Sequence, residues 1–218
     1  MRIKFISIII LVFAFCGCNE NPPEIRQVFW QFNVFHDQET GGSCETLSLY
    51  VLADDKDGTN DIESMYLIND AEELYWKISG SDLHIESYGD SETWIGCSNI
   101  RISGCISGTG ELLPDSHIPD GPCRIILIDS SGERDETSVT LKNGIQTLDH
   151  KWPALTRNGN VCTVSGDADF IWGFSADHTF VSEFSGKSAQ TITNKTIKNF
   201  YLYRFLPEQG IGLINGPF

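Results

Sequence analysis

Hydrophobic and polar residues alternate along much of this chain with a period of two, the period of a strand whose successive side chains leave on opposite faces. Val28, Trp30, Phe32 and Val34 alternate with Phe29, Gln31, Asn33 and Phe35, which predicts a first strand. Leu47, Leu49 and Val51 alternate with Thr46, Ser48 and Tyr50, which predicts a second strand with the Leu47 phase inward. Residues 65–68 and 74–78 flank Asn69-Asp70-Ala71-Glu72-Glu73 and read as a hairpin, with two further strands at 84–87 and 98–102. Residues 118–141 read as turn, strand, hairpin, strand. Further on, strands are expected at 161–164, 170–174, 180–184, 191–193 and 201–206, and Gly210, Gly212 and Gly216 close the pattern. No long stretch sustains a helical period, so the expected class is all-β. Trp172 to Gly186 lies without gaps over Tyr66 to Gly80, a faint sign of a duplicated sandwich unit.

Charge divides the chain. Residues 19–144 hold 24 Asp plus Glu against 7 Lys plus Arg, a net of −17, whereas residues 145–218 hold 6 of each. The second part also carries 11 of the 24 aromatic residues. The change falls at Lys142-Asn143-Gly144, a turn signal, and predicts two units, residues 24–144 and residues 145–218. Nucleic acid is excluded as a partner by the lack of clustered Lys or Arg.

Ahead of the strands, Arg2 and Lys4 precede an apolar run from Phe5 to Phe15, the layout of an export signal over residues 1–17. The run is shorter than the about 20 residues a membrane-crossing helix needs. It ends in Phe15-Cys16-Gly17-Cys18, which resembles the lipobox of bacterial lipoproteins. That resemblance implies cleavage after Gly17, diacylglyceryl attachment to the sulfur of Cys18 with palmitate as a label, and an address in the bacterial cell envelope. The anchor would hold the chain to the inner or outer membrane, periplasmic or surface-exposed, and residues 18–23, with Pro22 and Pro23, would form a stiff tether. Repulsion between an anionic membrane and the acidic first unit would hold that unit off the surface.

The stretch Asp120-Gly121-Pro122-Cys123 resembles the turn into the penultimate strand of immunoglobulin-like and fibronectin type III-like sandwiches, with Cys123 in the place of their corner tyrosine. The whole chain is similar to uncharacterised bacterial lipoproteins that carry an immunoglobulin-like domain after the leader, a resemblance covering residues 1 to about 144. It implies tandem immunoglobulin-like β-sandwiches and an interaction role.

Five cysteines follow Cys18: Cys44, Cys97, Cys105, Cys123 and Cys162. An exported chain admits disulfides, and the odd count leaves one thiol over. Cys97 with Cys105 is the first expected pair, because Gly104 lies in the step between them. Cys44 with Cys123 is the second, although Cys44 shares its phase with Thr46 and Ser48, away from the core, so that pair needs a bulge. No Cys-x-x-Cys spacing points to zinc.

Asp55, Asp57 and Asp61 surround Gly58 and resemble part of a calcium loop, although the third Asp and a distal Glu fall out of register. A hydrophilic turn is the simpler account. The series Phe170, Trp172, Phe174, Phe180, Phe184, Tyr201, Tyr203 and Phe205 is expected to form a core, with Phe170, Trp172 and Phe174 inward; an exposed Trp172 beside polar side chains would point to a sugar-stacking platform instead. His36, His84, His117, His150 and His178 are scattered outside any catalytic motif, so no catalytic residue and no obligatory cofactor is expected. The expected function is that of a non-catalytic, lipid-anchored envelope protein whose β-sandwich domains mediate protein interaction or adhesion. A carbohydrate- or calcium-assisted binding module is the alternative, and a hydrolase without a known motif, with a cleft holding a His and an acid, comes third.

Overall fold

A computed structural model describes residues 21–56, 58–89, 92–102, 117–145, 151–187 and 190–218. The described chain is all-β, with fifteen strands. They are β1 (Glu24–Asp37), β2 (Ser43–Asp54), β3 (Ile62–Asn69), β4 (Leu74–Ser79), β5 (His84–Tyr88), β6 (Glu92–Ile100), β7 (Gly121–Asp129), β8 (Arg134–Leu141), β9 (Ala154–Asn158), β10 (Val161–Ser165), β11 (Phe170–Phe174), β12 (Phe180–Ser185), β13 (Gln190–Thr191), β14 (Asn199–Leu206) and β15 (Ile211–Gly216). They form an eight-stranded sheet in the order β12-β11-β14-β15-β1-β2-β6-β5, a four-stranded sheet β4-β3-β7-β8 and a three-stranded sheet β13-β10-β9.

Long β1 is the hinge of this topology. It pairs antiparallel with β2 along its whole length and parallel with β15 through Phe32↔Ile211 to Asp37↔Gly216. The large sheet therefore runs without a break across the composition change at residue 144. Alternation then sets which face is covered. Phe32, Val34, Leu47, Leu49, Val51, Ile211 and Leu213 are buried against Met65, Leu67, Ile125 and Leu127 of the four-stranded sheet. A second core joins Ile171, Phe200 and Leu202 of the large sheet to Cys162 of the three-stranded sheet. The registers Leu202↔Asn215, Leu206↔Ile211 and Phe32↔Ile211 put both cores on one face. Two small sheets thus cover the same side of one large sheet as tandem sandwiches.

Several expectations change. The strand placed at 98–102 is centred earlier, on β6, and the glycine-rich close of the chain is β15, whose two covered sides of hydrogen bonding come from β14 and β1. Pro23, assigned to the tether, is buried, and the backbone N–H of Ile25 donates to Asp135 Oδ2 at 2.8 Å. The inward phase of β11 is not Phe170, Trp172 and Phe174: Ile171 is fully buried, while Phe170 is 38% exposed. Both phases of this strand are apolar, and room decides between them. A Cβ at inward-facing Gly173 would lie 2.8 Å from Ile197 Cδ1, so that place is already filled from the loop before β14.

The cysteine pairs are also corrected. Cys97 and Cys123 are buried free thiols, so neither Cys97–Cys105 nor Cys44–Cys123 forms, and Cys105 lies outside the described residues. Both thiols belong to the first core, where they pack as small apolar groups. Cys44 pairs with Phe35 on the opposite face, as its phase with Thr46 and Ser48 implies, and is disulfide-bonded. Cys162 is a buried free thiol of the second core.

Candidate functional site

The other face of the large sheet is covered by no described element, and it gathers aromatic side chains from strands far apart in sequence. Near its β12 end, Trp172 stacks on Tyr203 at 4.9 Å between ring centroids, Phe170 stacks on Tyr203 at 6.3 Å, and Tyr201 meets the edge of Phe174 at 5.2 Å. These rings spend much of their face area on one another. Phe180, 55% exposed, packs edge-on against Phe174.

Across the middle of the face runs a polar strip. Gln31 Nε2 donates to Asn33 Oδ1 at 2.7 Å and to the Tyr203 hydroxyl at 3.0 Å, and Asn33 Nδ2 donates to Ser48 Oγ at 3.1 Å. The strip lies beside Gly212, where a Cβ would come within 2.3 Å of Asn33 Oδ1. A glycine there is the condition for the amides to lie flat.

Toward the β5 end, Phe29, Tyr50, Glu86, Tyr88 and Trp94 line a cavity of about 430 Å³. Both ends carry a cross-strand Trp–Glu pair, Trp172↔Glu183 and Trp94↔Glu86. Burial pushes the phenols of Tyr50, Tyr201 and Tyr203 up, and the hydrogen bond to Glu86 pushes Tyr88 up, so all four stay neutral at physiological pH. Trp172, read as a core residue from sequence, donates from Nε1 to Glu183 Oε2 at 3.0 Å on this open face.

A larger cavity of about 630 Å³ lies at the end of the second sandwich among Asp167, Asp169, Lys187 and Arg204. Arg204 pairs with Asp167 at 3.4 Å, and Asp169 Oδ2 accepts from the Phe205 N–H, so three of these charged groups have protein partners.

The expected calcium set is altered. Asp55 and Asp61 do come together, Asp57 lies outside the described residues, and the third carboxylate is Asp129 from the end of β7. Their ligand oxygens lie within 4.8 Å of one another. Asp129 is buried, and its Oδ1 accepts from Ser131 N, Ser131 Oγ and Glu133 N at 2.8 to 2.9 Å. Sequence reading missed Asp129 because a β-hairpin turn, not spacing, supplies it.

One histidine meets an acid. His117 Nδ1 lies 2.7 Å from Oε2 of fully buried Glu45, whose Oε1 accepts from the Ile118 N–H and Asn143 Nδ2, both at 2.8 Å. Neither residue lines any of the described cavities. The arrangement is a clamp between β2, the approach to β7 and the segment that leaves the first sandwich. Cys18, the expected lipid site, lies outside the described residues. No described helix is long and apolar enough to cross a membrane.

No family model matches the chain, and no curated protein matches it. Among solved structures it is similar to Tp47, the 47-kilodalton lipoprotein of Treponema pallidum, at 11% identity and a TM-score of 0.36. The match covers 91% of this chain and 51% of that one, so the chain spans about half its length. A likeness at this level is too low to transfer fold or function.

Proposed function

We propose that this chain is a non-catalytic protein of the bacterial envelope, anchored through a lipid on Cys18, that binds a basic protein partner on the open face of its large sheet. The observation that carries the reading is the exposed aromatic set itself. Protein interfaces concentrate Tyr, Trp and Phe at their centres with a polar surround, and a few such anchors supply most of the binding energy. The two carboxylates beside Trp94 and Trp172, together with the −17 balance of residues 19–144, favour a cationic partner over an acidic one. Carbohydrate stacking is less favoured near Trp172, because those rings already occupy one another's faces.

The test is comparative capture from envelope extracts. Phe170→Ser and Phe180→Ser should lose the partner, and raised salt should weaken its capture. Tyr75→Ser, at a 69% exposed position on the four-stranded sheet, should retain it. Equal capture by all three variants refutes the interface. For the anchor, radiolabelled palmitate should enter the natural chain and not Cys18→Ala.

Calcium assistance is a second reading, favoured by the convergence of Asp55, Asp61 and Asp129. Calorimetry with millimolar Ca²⁺ decides it, and absence of heat removes it.

A further inference from the structure

The cavity at the β5 end differs from the stacked cluster at the other end of the face. Its five lining residues come from four adjacent strands: Phe29 from β1, Tyr50 from β2, Trp94 from β6, and Glu86 with Tyr88 from β5. Strand register brings them together through Phe29↔Tyr50, Tyr50↔Gly96 and Trp94↔Glu86. The site is built rather than incidental. At Gly96 a Cβ would lie 2.7 Å from Tyr50 Cδ1, so the ring rests against the bare β6 backbone, and its hydroxyl is held by Ser98 Oγ at 2.7 Å. The Tyr88 hydroxyl donates to Glu86 Oε2 at 2.8 Å and fixes the carboxylate beside the rings. Phe29 and Tyr88 remain 46% and 58% exposed, and no ring pairing among the described residues involves any of the four aromatic rings.

Four aromatic rings and one carboxylate, with no Lys, Arg or His in the lining, make an aromatic surface with negative charge and no positive group to oppose a cation. A metal ion would find one carboxylate and no further charged oxygen, which is too few for a hard cation. A bare ammonium would exchange strong hydration for weak contacts. An alkylated ammonium is weakly hydrated, carries its charge on a shell of methyl or methylene groups, and fills such a space with both apolar contact and cation–π attraction. We infer that the Phe29–Tyr50–Trp94–Tyr88 cavity, with Glu86 at its edge, binds an alkylated ammonium group of the kind found in choline and in methylated lysine.

The inference goes beyond the partner reading and is separable from it: a chain that binds such cations and captures no protein keeps the one and loses the other. The test uses the full chain in a non-ionic detergent free of choline, with binding read by calorimetry and by saturation transfer to the ligand methyl protons. The probes are choline, Nε-trimethyl-lysine amide, and 3,3-dimethylbutan-1-ol, the neutral isostere of choline. At least one of the two cations should saturate the site at millimolar concentration or below, with the neutral alcohol roughly tenfold weaker or more. Tighter binding of choline indicates a headgroup or free-choline source, and tighter binding of the lysine derivative a polypeptide source; either supports the site. Glu86→Gln, at an exposed position, should weaken cation binding about two- to fivefold and leave the alcohol unchanged. No saturable binding of either cation, or a better-bound cation that is no tighter than the neutral alcohol, overturns the inference, and that comparison needs no variant to fold.

Discussion

Replacing Glu45 by alanine tests whether the clamp at the exit of the first sandwich holds the fold. The carboxylate is wholly buried and spends both oxygens on three donors: Ile118 N–H, Asn143 Nδ2 and His117 Nδ1. Of these, the Ile118 N–H has no recourse to water, because Ile118 is itself buried; leaving a buried donor without an acceptor costs about 1–3 kcal/mol. Asn143 keeps a second bond, to the Ile118 carbonyl at 3.2 Å, and His117 is partly exposed, so their losses are smaller. Together with these smaller losses and the emptied side-chain volume, the expected cost is about 3–5 kcal/mol, at the upper end for a single substitution. That is a large part of the roughly 5–15 kcal/mol a domain has. In a chain of this size it should lower Tm by roughly 6–20 °C. Glu45→Gln keeps one carbonyl acceptor and should lose about 1–2 kcal/mol. Urea and thermal unfolding followed by circular dichroism give both values. A Glu45→Ala protein within 1 kcal/mol of the natural one would refute the reasoning.

Other outcomes follow from the same geometry. Gly96→Ala puts a Cβ 2.1 Å from the Leu49 carbonyl oxygen, a backbone atom that cannot swing aside, so urea unfolding should show a loss of at least about 1–3 kcal/mol; unchanged stability would contradict the close β2–β6 approach. Burial pushes the thiols of Cys97, Cys123 and Cys162 up, so mass spectrometry should find them labelled by an alkylating reagent only in denaturant, and labelling of any of the three within minutes in the native protein contradicts their placement. The Arg124 hydrogen bond holds the Asp70 carboxyl below its ordinary range. A depressed folded-state value means stabilisation that is present above the unfolded-state pKa near 3.9 and is lost as pH falls through the lower folded value. The urea midpoint of Arg124→Met should therefore approach that of the natural chain as pH drops from 5 toward 2, and a constant gap would show that Asp70 is not the partner that matters.

What was legible in the sequence was the alternation of strands with one apolar phase. In β2, Leu47, Leu49 and Val51 are all buried, and Cys44 lies on the other face with its phase partners, as their spacing implies. Strands apolar on both phases were not legible, because period two shows that the faces differ and not which of them finds cover. In β11 the aromatic phase is the bulkier, yet Ile197 fills the space over Gly173 and Ile171 takes the core. The parallel pairing of β1 with β15 joins the two ends of the described chain, and no local signal carries it. The same holds for the candidate site. Tyr50 was already on the polar phase, but its meeting with Trp94 depends on Gly96, a residue that acts by what it lacks.

The uneven treatment of the two aromatic clusters bears on what the open face is for. An uncovered ring loses favourable burial worth about 25 cal/mol for each Å² left in water, so a chain that exposes many rings has reason to pack them together. Near Trp172 it does so: Phe170, Trp172 and Tyr203 stack, and Glu183 is occupied by the indole N–H. Near Trp94 it does not, although Phe29, Tyr50, Trp94 and Tyr88 surround one space and are as well placed by register to collapse on each other. Tyr50 is held at Ser98 and Tyr88 at Glu86, two polar ties that fix the phenols beside the cavity. Contacts that the other cluster makes within itself are left here for a ligand to supply, and a site whose side chains are already fixed loses less entropy on binding one.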